Sequence, residues 1–497
     1  MSLLKFLTLP LRRHSSWRHP TLTTSLLRRR YRGTILAISS TFTFVVAGST
    51  IALASGKKIQ CDHEVDEDAE GAAAFPSRFH KPKWTASQYL SADEILAGGP
   101  SWWPGGSGID RCDALTVPSN HDSEDYIAVF FGSSEEEDHK TYIGLFDGHN
   151  GTATSEFLSE HLISFLQRSL VKLPQQFDYS LEVQGHSSFE DDIVHDTIKY
   201  VFREIDEAII DPTEVFASTS KANAVRTLRH AYSGSCALVS VYDPDTHLLR
   251  VALTGDSRAV LGRKIKAKDG GRDTYAVHVL SVDQNAHNPA EVARLNAEHP
   301  GEKVVENGRV MGWGPSRSFG NAAYKWPLET QKKLNERYLG DRPMDQKKTP
   351  PYLTAEPVIT NFVVEPGDFL VMGSDGLWDC LTNEEVVGLV GVWLRKNGDA
   401  VKTTSPRKDF EKERGEDLQT YRPNQLPVTL QKDDTVFYKW WRTEKRFVNR
   451  DRNVAAHLVR NAFGGADGDL TDALLSLTAP RSRRYRDDIS ALVTFFS

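Results

Sequence analysis

Short apolar runs recur from residue 126 onward, each closed by a polar or glycine-containing stretch. Tyr126 to Phe131, Tyr142 to Phe146, Ala237 to Tyr242, Leu248 to Leu253, Phe369 to Met372 and Ile489 to Phe496 have the length and residue types of strands. Asp243-Pro244-Asp245-Thr246-His247 between two of them has ordinary turn chemistry and predicts a hairpin. Other stretches repeat with helical spacing. Thr152 to Leu170 aligns Phe157, Leu158, His161, Leu162, Phe165 and Leu166 on one face. Asn288-Pro289-Ala290-Glu291 reads as a capped helix start, ended by His299-Pro300 and followed by a flap-like loop to Gly314. Asn453 to Gly465 predicts an amphipathic helix with a glycine stop.

The strands share one oddity. Four of them carry an aspartate at one end: Asp147 in Phe146-Asp147-Gly148-His149, Asp256 in Gly255-Asp256-Ser257, Asp375 in Ser374-Asp375-Gly376, and Asp487 in Arg486-Asp487-Asp488. A fifth acidic pair, Glu124-Asp125, stands before the strand at 126. Asp-Gly alone is an ordinary turn. Recurrence changes its meaning, because none of the four has a lysine beside it. Carboxylates gathered without cationic partners repel one another unless a cation sits among them. All-oxygen ligand sets suit Mg²⁺ or Mn²⁺.

In chain order, Glu124-Asp125, Phe-Asp-Gly-His at 146–149, Ser-Gly-Ser at 233–235, Gly-Asp-Ser-Arg-Ala-Val at 255–260, Pro-Ser-Arg-Ser-Phe-Gly at 315–320, Ser-Asp-Gly-Leu-Trp-Asp at 374–379 and Arg-Asp-Asp-Ile-Ser at 486–490 can be compared with known motifs. They resemble those of the metal-dependent protein serine/threonine phosphatases of the 2C family. The resemblance implies an α+β fold, an α-β-β-α sandwich of two antiparallel sheets flanked by helices, with metals at one end. By position it assigns Asp147 to two Mg or Mn ions at once. Asp375 and Asp487 complete one shell, Glu124 and the Gly148 carbonyl the other. Asp256 and Asp379 match a weaker third metal site. A hydroxide held between the two ions attacks phosphorus, and His149 protonates the leaving alkoxide.

Three positions depart from the family pattern. Asn120 occupies the place of the phosphate-binding arginine, four residues before Glu124. Asn321 follows Ser-Phe-Gly where aspartate is usual, and Asp488 replaces an asparagine, adding negative charge near the metals. The Asp-Asp pair, the 453–465 helix and the Leu470 to Leu477 segment resemble one subgroup, the mitochondrial pyruvate dehydrogenase phosphatases, which also has asparagine at the position of Asn120. That subgroup implies a phosphoprotein substrate, pyruvate dehydrogenase.

Composition changes the picture mostly at the N-terminus. Net charge is −7, but the first 61 residues hold ten Lys and Arg and no Asp or Glu, leaving −17 on the remainder. No basic stripe survives there, which argues against a nucleic-acid partner. Four scattered cysteines without a CxxC pair argue against a disulfide framework or a zinc site. Residues 1–33 have the Arg-, Ser- and Leu-rich, acid-free composition of a mitochondrial presequence. Residues 34–55 are uncharged and long enough to span a bilayer. Retained, that stretch is an inner-membrane anchor, and the Arg28 to Arg32 cluster before it would leave the domain facing the intermembrane space. Removed or translocated, it leaves a matrix enzyme, which its Ser and Thr content favours. Residues 56–114 read as a linker and docking segment, and 115–497 as a phosphatase domain with an insertion near 396–452. Within the insertion, Trp440-Trp441 fits either a docking surface or core filler. A phosphatase-like scaffold without activity is the alternative to an active enzyme, as is activity on another mitochondrial phosphoprotein. Retention of Glu124, Asp147, His149, Asp375 and Asp487 favours the enzyme.

Overall fold

Period-two alternation in the apolar runs builds the architecture. In the Phe369–Gly373 strand, Phe369 and Val371 join a core shared with helices, whereas Leu370 and Met372 join a second core between two sheets. The Ile489–Phe496 strand repeats the division, with Val493 and Phe495 on the helix side and Leu492 and Phe496 on the other. Both strands are buried at every position, as strands covered on both faces must be.

The computed structural model describes residues 91–132, 138–176, 186–267, 271–402 and 419–497. All of them lie in one compact unit. The presequence, the candidate span 34–55 and the linker up to residue 90 fall outside them, as do residues 403–418 of the insertion. No helix among the described residues is long and apolar enough to cross a membrane.

Six strands form one sheet, in the order Ser101–Trp102, Ile109–Val117, Ile489–Phe496, Phe369–Gly373, Arg258–Ile265, Thr274–Val279. Five form the other: Val358–Val363, Leu248–Thr254, Ala237–Asp243, Thr141–Phe146, Tyr126–Phe130. All pairings in both are antiparallel. Ile143, Leu145, Leu238 and Leu253 of one sheet meet Leu261, Leu370, Met372 and Leu492 of the other between the layers. The helices Asn383–Asn397, Val454–Ala462 and Gly468–Ser476 cover the outside of the first sheet. Ala153–Gln176 packs on the outside of the second, with His186–Ile210 beside it. This is the expected α-β-β-α sandwich.

Some details differ from the sequence pattern. The Val454–Ala462 helix, capped by Asn453, has the expected amphipathic pattern yet is buried at every residue. Its polar side chains face partners instead of water: Arg460 pairs with Asp451, and Asn461 donates to the Val448 carbonyl. The flap contains a small hairpin, Val305–Glu306 with Arg309–Val310. The aromatic run of the insertion is a helical turn, Phe437–Trp441, in which Tyr438 is buried, Trp441 half-buried and Trp440 exposed.

Register decides where the acids go. Tyr126 lies opposite Phe146, Leu145 opposite Leu238, and Ala237 opposite Thr254. In the other sheet Ile489 lies opposite Val117, and Gly373 is flanked by Ala491 and Arg258. These pairings bring residues 124–125, 147, 256, 375 and 487–488 to one edge of the sandwich, although they are remote in sequence.

Candidate active site

At that edge the carboxylates are close enough to shift one another. Burial, then the charges of Asp375, Asp125, Asp256 and Asp487, push Asp147 well above the ordinary carboxylate range. Asp375 is raised in the same way by burial, Asp487 and Asp256. One carboxylate oxygen of Asp147 and one of Asp125 are buried with no hydrogen-bond partner among the described residues. Asp256 and Asp379 adjoin them, each raised to about 6 chiefly by burial. The structure thus assembles Glu124, Asp147, Asp375 and Asp487, with Asp256 and Asp379 adjoining.

Gly148 makes the turn after Asp147 possible by close approach. Its amide donates to the Glu124 carbonyl at 3.1 Å, and a Cβ there would lie 2.3 Å from that same oxygen. Glu124 is fixed from several sides. Its carboxylate accepts from the Gly151 amide at 2.6 Å and from the Asn120 side chain at 3.1 Å. Asn120 is therefore turned onto Glu124. Asp488 takes a different part from the one its sequence position suggests. It is 3% exposed and accepts from the Ser119 amide (2.5 Å), the Ser119 hydroxyl (2.6 Å) and the Glu124 amide (2.7 Å). Its charge is bound up in clamping the 119–124 segment.

His149 follows in a two-residue strand, Gly148–His149, paired with Gly234–Ser235, which pairs in turn with Phe319–Gly320. Two of the sequence motifs are thus the neighbours that set the histidine. The Asn321 amide donates to Nε2 of His149 at 2.5 Å, and the Trp313 ring lies 5.0 Å away. Burial, with Arg483 and Lys325, lowers His149 to about 3, so the ring rests neutral. Beyond Trp313 stands Tyr324, whose ring centre is 3.2 Å from Nζ of Lys347. That amine is buried without a hydrogen-bond partner among the described residues, and burial lowers it to about 7.

The expectation that the acids lack cationic partners needs correcting. Arg483 pairs with Asp487, and Arg258 pairs with Asp283 at 2.6 Å. Neither contact is visible by looking for a lysine beside an aspartate: Arg483 stands four residues before Asp487, and Arg258 reaches Asp283 across the hairpin its strand forms with Thr274–Val279. Sequence reasoning noted Asp125 but gave it no role, and it missed Asp283. Both obey the strand-end pattern: Asp125 directly precedes Tyr126–Phe130, and Asp283 follows Thr274–Val279 by four residues. The Arg of Pro-Ser-Arg-Ser-Phe-Gly is a strut. Arg317 bonds Glu291 at 2.6 Å and, against the cost of burial, it holds that acid at about 2 together with Arg294 and Ser316.

Among the described residues no three acid, imidazole or thiol groups converge closely enough to enclose an ion as they stand. The donor chemistry nonetheless fits hard divalent cations. The donors are all oxygens, two of them are buried and orphaned, and their mutual repulsion is what a cation would relieve.

The sandwich with its acid-lined edge is the arrangement expected of the phosphatases that the sequence resembles. The match to known proteins is narrower: the protein phosphatase 2C family model covers residues 118–417. A protein phosphatase 2C homologue of Schizosaccharomyces pombe is 37% identical over 78% of this chain and 81% of its own length. The mitochondrial pyruvate dehydrogenase phosphatase 1 of Saccharomyces cerevisiae is 36% identical over 79% of this chain and 69% of its own. The human mitochondrial enzyme of that name is 29% identical over 86% and 85%. The chain belongs to the protein phosphatase 2C family.

Proposed function

We propose that this phosphatase is a Mg²⁺- or Mn²⁺-dependent serine/threonine phosphatase of the mitochondrial matrix whose substrate is phosphorylated pyruvate dehydrogenase. The observation that carries the metal-dependent chemistry is the buried acid cluster with its orphaned Asp147 and Asp125 oxygens. The substrate and the compartment rest on the relatives that bear those names, and on the composition of residues 1–33.

Asp147, Asp375 and Asp487 would hold one cation, and Asp147, Glu124 and the Gly148 carbonyl a second, with Asp256 and Asp379 available to a weaker third. When bound, such ions supply the positive charge that polarises water and the phosphoryl oxygens. The chain's own groups do the rest. The Asp488 clamp and the Gly151 amide fix the direction of Glu124. Trp313 shields one face of His149. A phosphoryl dianion beside the neutral imidazole favours its protonated form, and the proton so gained is placed to pass to the seryl oxygen as it leaves.

The test is release of phosphate from phosphorylated pyruvate dehydrogenase by the purified protein, with Mn²⁺ and with excess chelator, alongside Asp147→Ala. Activity should vanish with chelator and in the variant. Full activity in chelator would refute the metal-dependent reading; activity confined to other phosphoproteins would refute only the substrate. Carbonate extraction and protease treatment of mitoplasts test the compartment. A pelleted, protease-sensitive domain would mean that residues 34–55 anchor it facing the intermembrane space.

A further inference from the structure

We infer that Arg483 is the residue that binds the substrate's phosphoryl group, supplied from the turn that precedes the last strand. This rests on the phosphatase reading above. A phosphomonoester dianion must approach an edge lined by Glu124, Asp125, Asp147, Asp375 and Asp487. Those carboxylates repel it, and a cation at the rim is needed to bring it in. Among the described residues, most cations near this edge are committed. Arg486 donates to the carbonyls of Leu474 and Pro118. Arg258 is bound to Asp283 and Asn383, and Lys325 to Asp206 and the Ser318 carbonyl. The Asn120 amide is given to Glu124.

Arg483 is placed differently. Its guanidinium spans the mouth, with Nη1 on Asp487 and 3.4 Å from the Ser119 hydroxyl, and Nη2 3.9 Å from Glu124. The side chain is 39% exposed, so part of its donor fork is open to solvent. The turn that carries it, Ser482–Arg484, is pinned by the bond from the Ser482 hydroxyl to the carbonyl of Ser119, the residue before Asn120. A planar fork of five N–H donors, held at the rim over acids that cations can draw inward, matches the oxygens of a phosphoryl group.

The experiment measures binding of inorganic phosphate to the Mn²⁺-loaded protein by calorimetry, and hydrolysis of nitrophenyl phosphate, for wild type, Arg483→Gln and Arg483→Lys. Mn²⁺ affinity is measured in parallel. Arg483→Gln should weaken phosphate binding about tenfold to a hundredfold, the loss expected for a charge-assisted bond, and raise KM. Mn²⁺ affinity should hold or improve, and Arg483→Lys should fall between. If wild type binds phosphate and Arg483→Gln loses it while neither hydrolyses the ester, Arg483 is upheld and the phosphatase reading falls. If Arg483→Gln keeps wild-type phosphate affinity but loses Mn²⁺ affinity, Arg483 only braces Asp487 and the inference is overturned.

Discussion

His149 sits between a donor and a ring: the Asn321 amide meets its Nε2, and Trp313 lies across its face. An imidazole held this way matters only when the leaving group needs a proton. His149→Ala should therefore slow hydrolysis of a phosphoserine peptide by about a hundredfold or more, but nitrophenyl phosphate by much less, because nitrophenolate departs unprotonated. Equal losses in kcat on the two substrates would exclude the acid role. Lys347 offers a second test at this scale, on stability. Its amine is buried against Tyr324 and lowered to about 7. In the unfolded chain it titrates near 10.4. Between those values the folded state binds fewer protons than the unfolded, so stability contributed by this group rises with pH. The burial penalty is full below about 7 and gone above the unfolded pKa. Lys347→Met should accordingly raise Tm, more at pH 6.5 than at pH 9. A Tm gain independent of pH would show that the amine is charged equally in both states.

Among the elements, the short 119–124 segment depends most on a single side chain. Asp488, at the head of the Ile489–Phe496 strand, accepts three hydrogen bonds from it. Asp488→Ala leaves buried donors at Ser119 and Glu124 unsatisfied, at about 2–4 kcal/mol in total. Chemical denaturation should show that loss together with weaker Mn²⁺ binding, since Glu124 loses its direction. Retained Mn²⁺ affinity in a destabilised variant would mean that the Gly151 amide and the Asn120 side chain suffice to orient Glu124. This segment also marks the boundary of what sequence can tell. The strands, the Asn288 cap and the acids at strand ends were legible because period-two burial and glycine turns are local signals. The Arg483–Asp487 pair and the Asp488 clamp were not. Adjacent acids differ in what they meet, and only the fold says how: Asp488 accepts from the 119–124 backbone while Asp487 pairs with Arg483, and Glu124 accepts from the Gly151 amide while an Asp125 oxygen is buried without a hydrogen-bond partner among the described residues. The 453–465 helix shows the same limit: its amphipathic pattern is local, but the protein partners of its polar residues are not.

For the molecule as a whole, the acid edge is a store of repulsion. Asp147 is raised by burial and by its neighbours' charges, at a cost to the metal-free fold. Asp147→Asn should raise the Tm of the metal-free protein by about 2–4 °C and shrink the stabilisation that Mn²⁺ gives wild type. A metal-free Tm below that of wild type would place the carboxylate in a stabilising bond instead. The strand order carries a further consequence, for synthesis. Ile489–Phe496 lies inside the six-stranded sheet, between Ile109–Val117 and Phe369–Gly373. Its two neighbours on either side are both made long before it. A ribosome must therefore deliver nearly all of the 497 residues before that sheet can close. Until then the nascent chain has neither a finished sandwich nor Asp487.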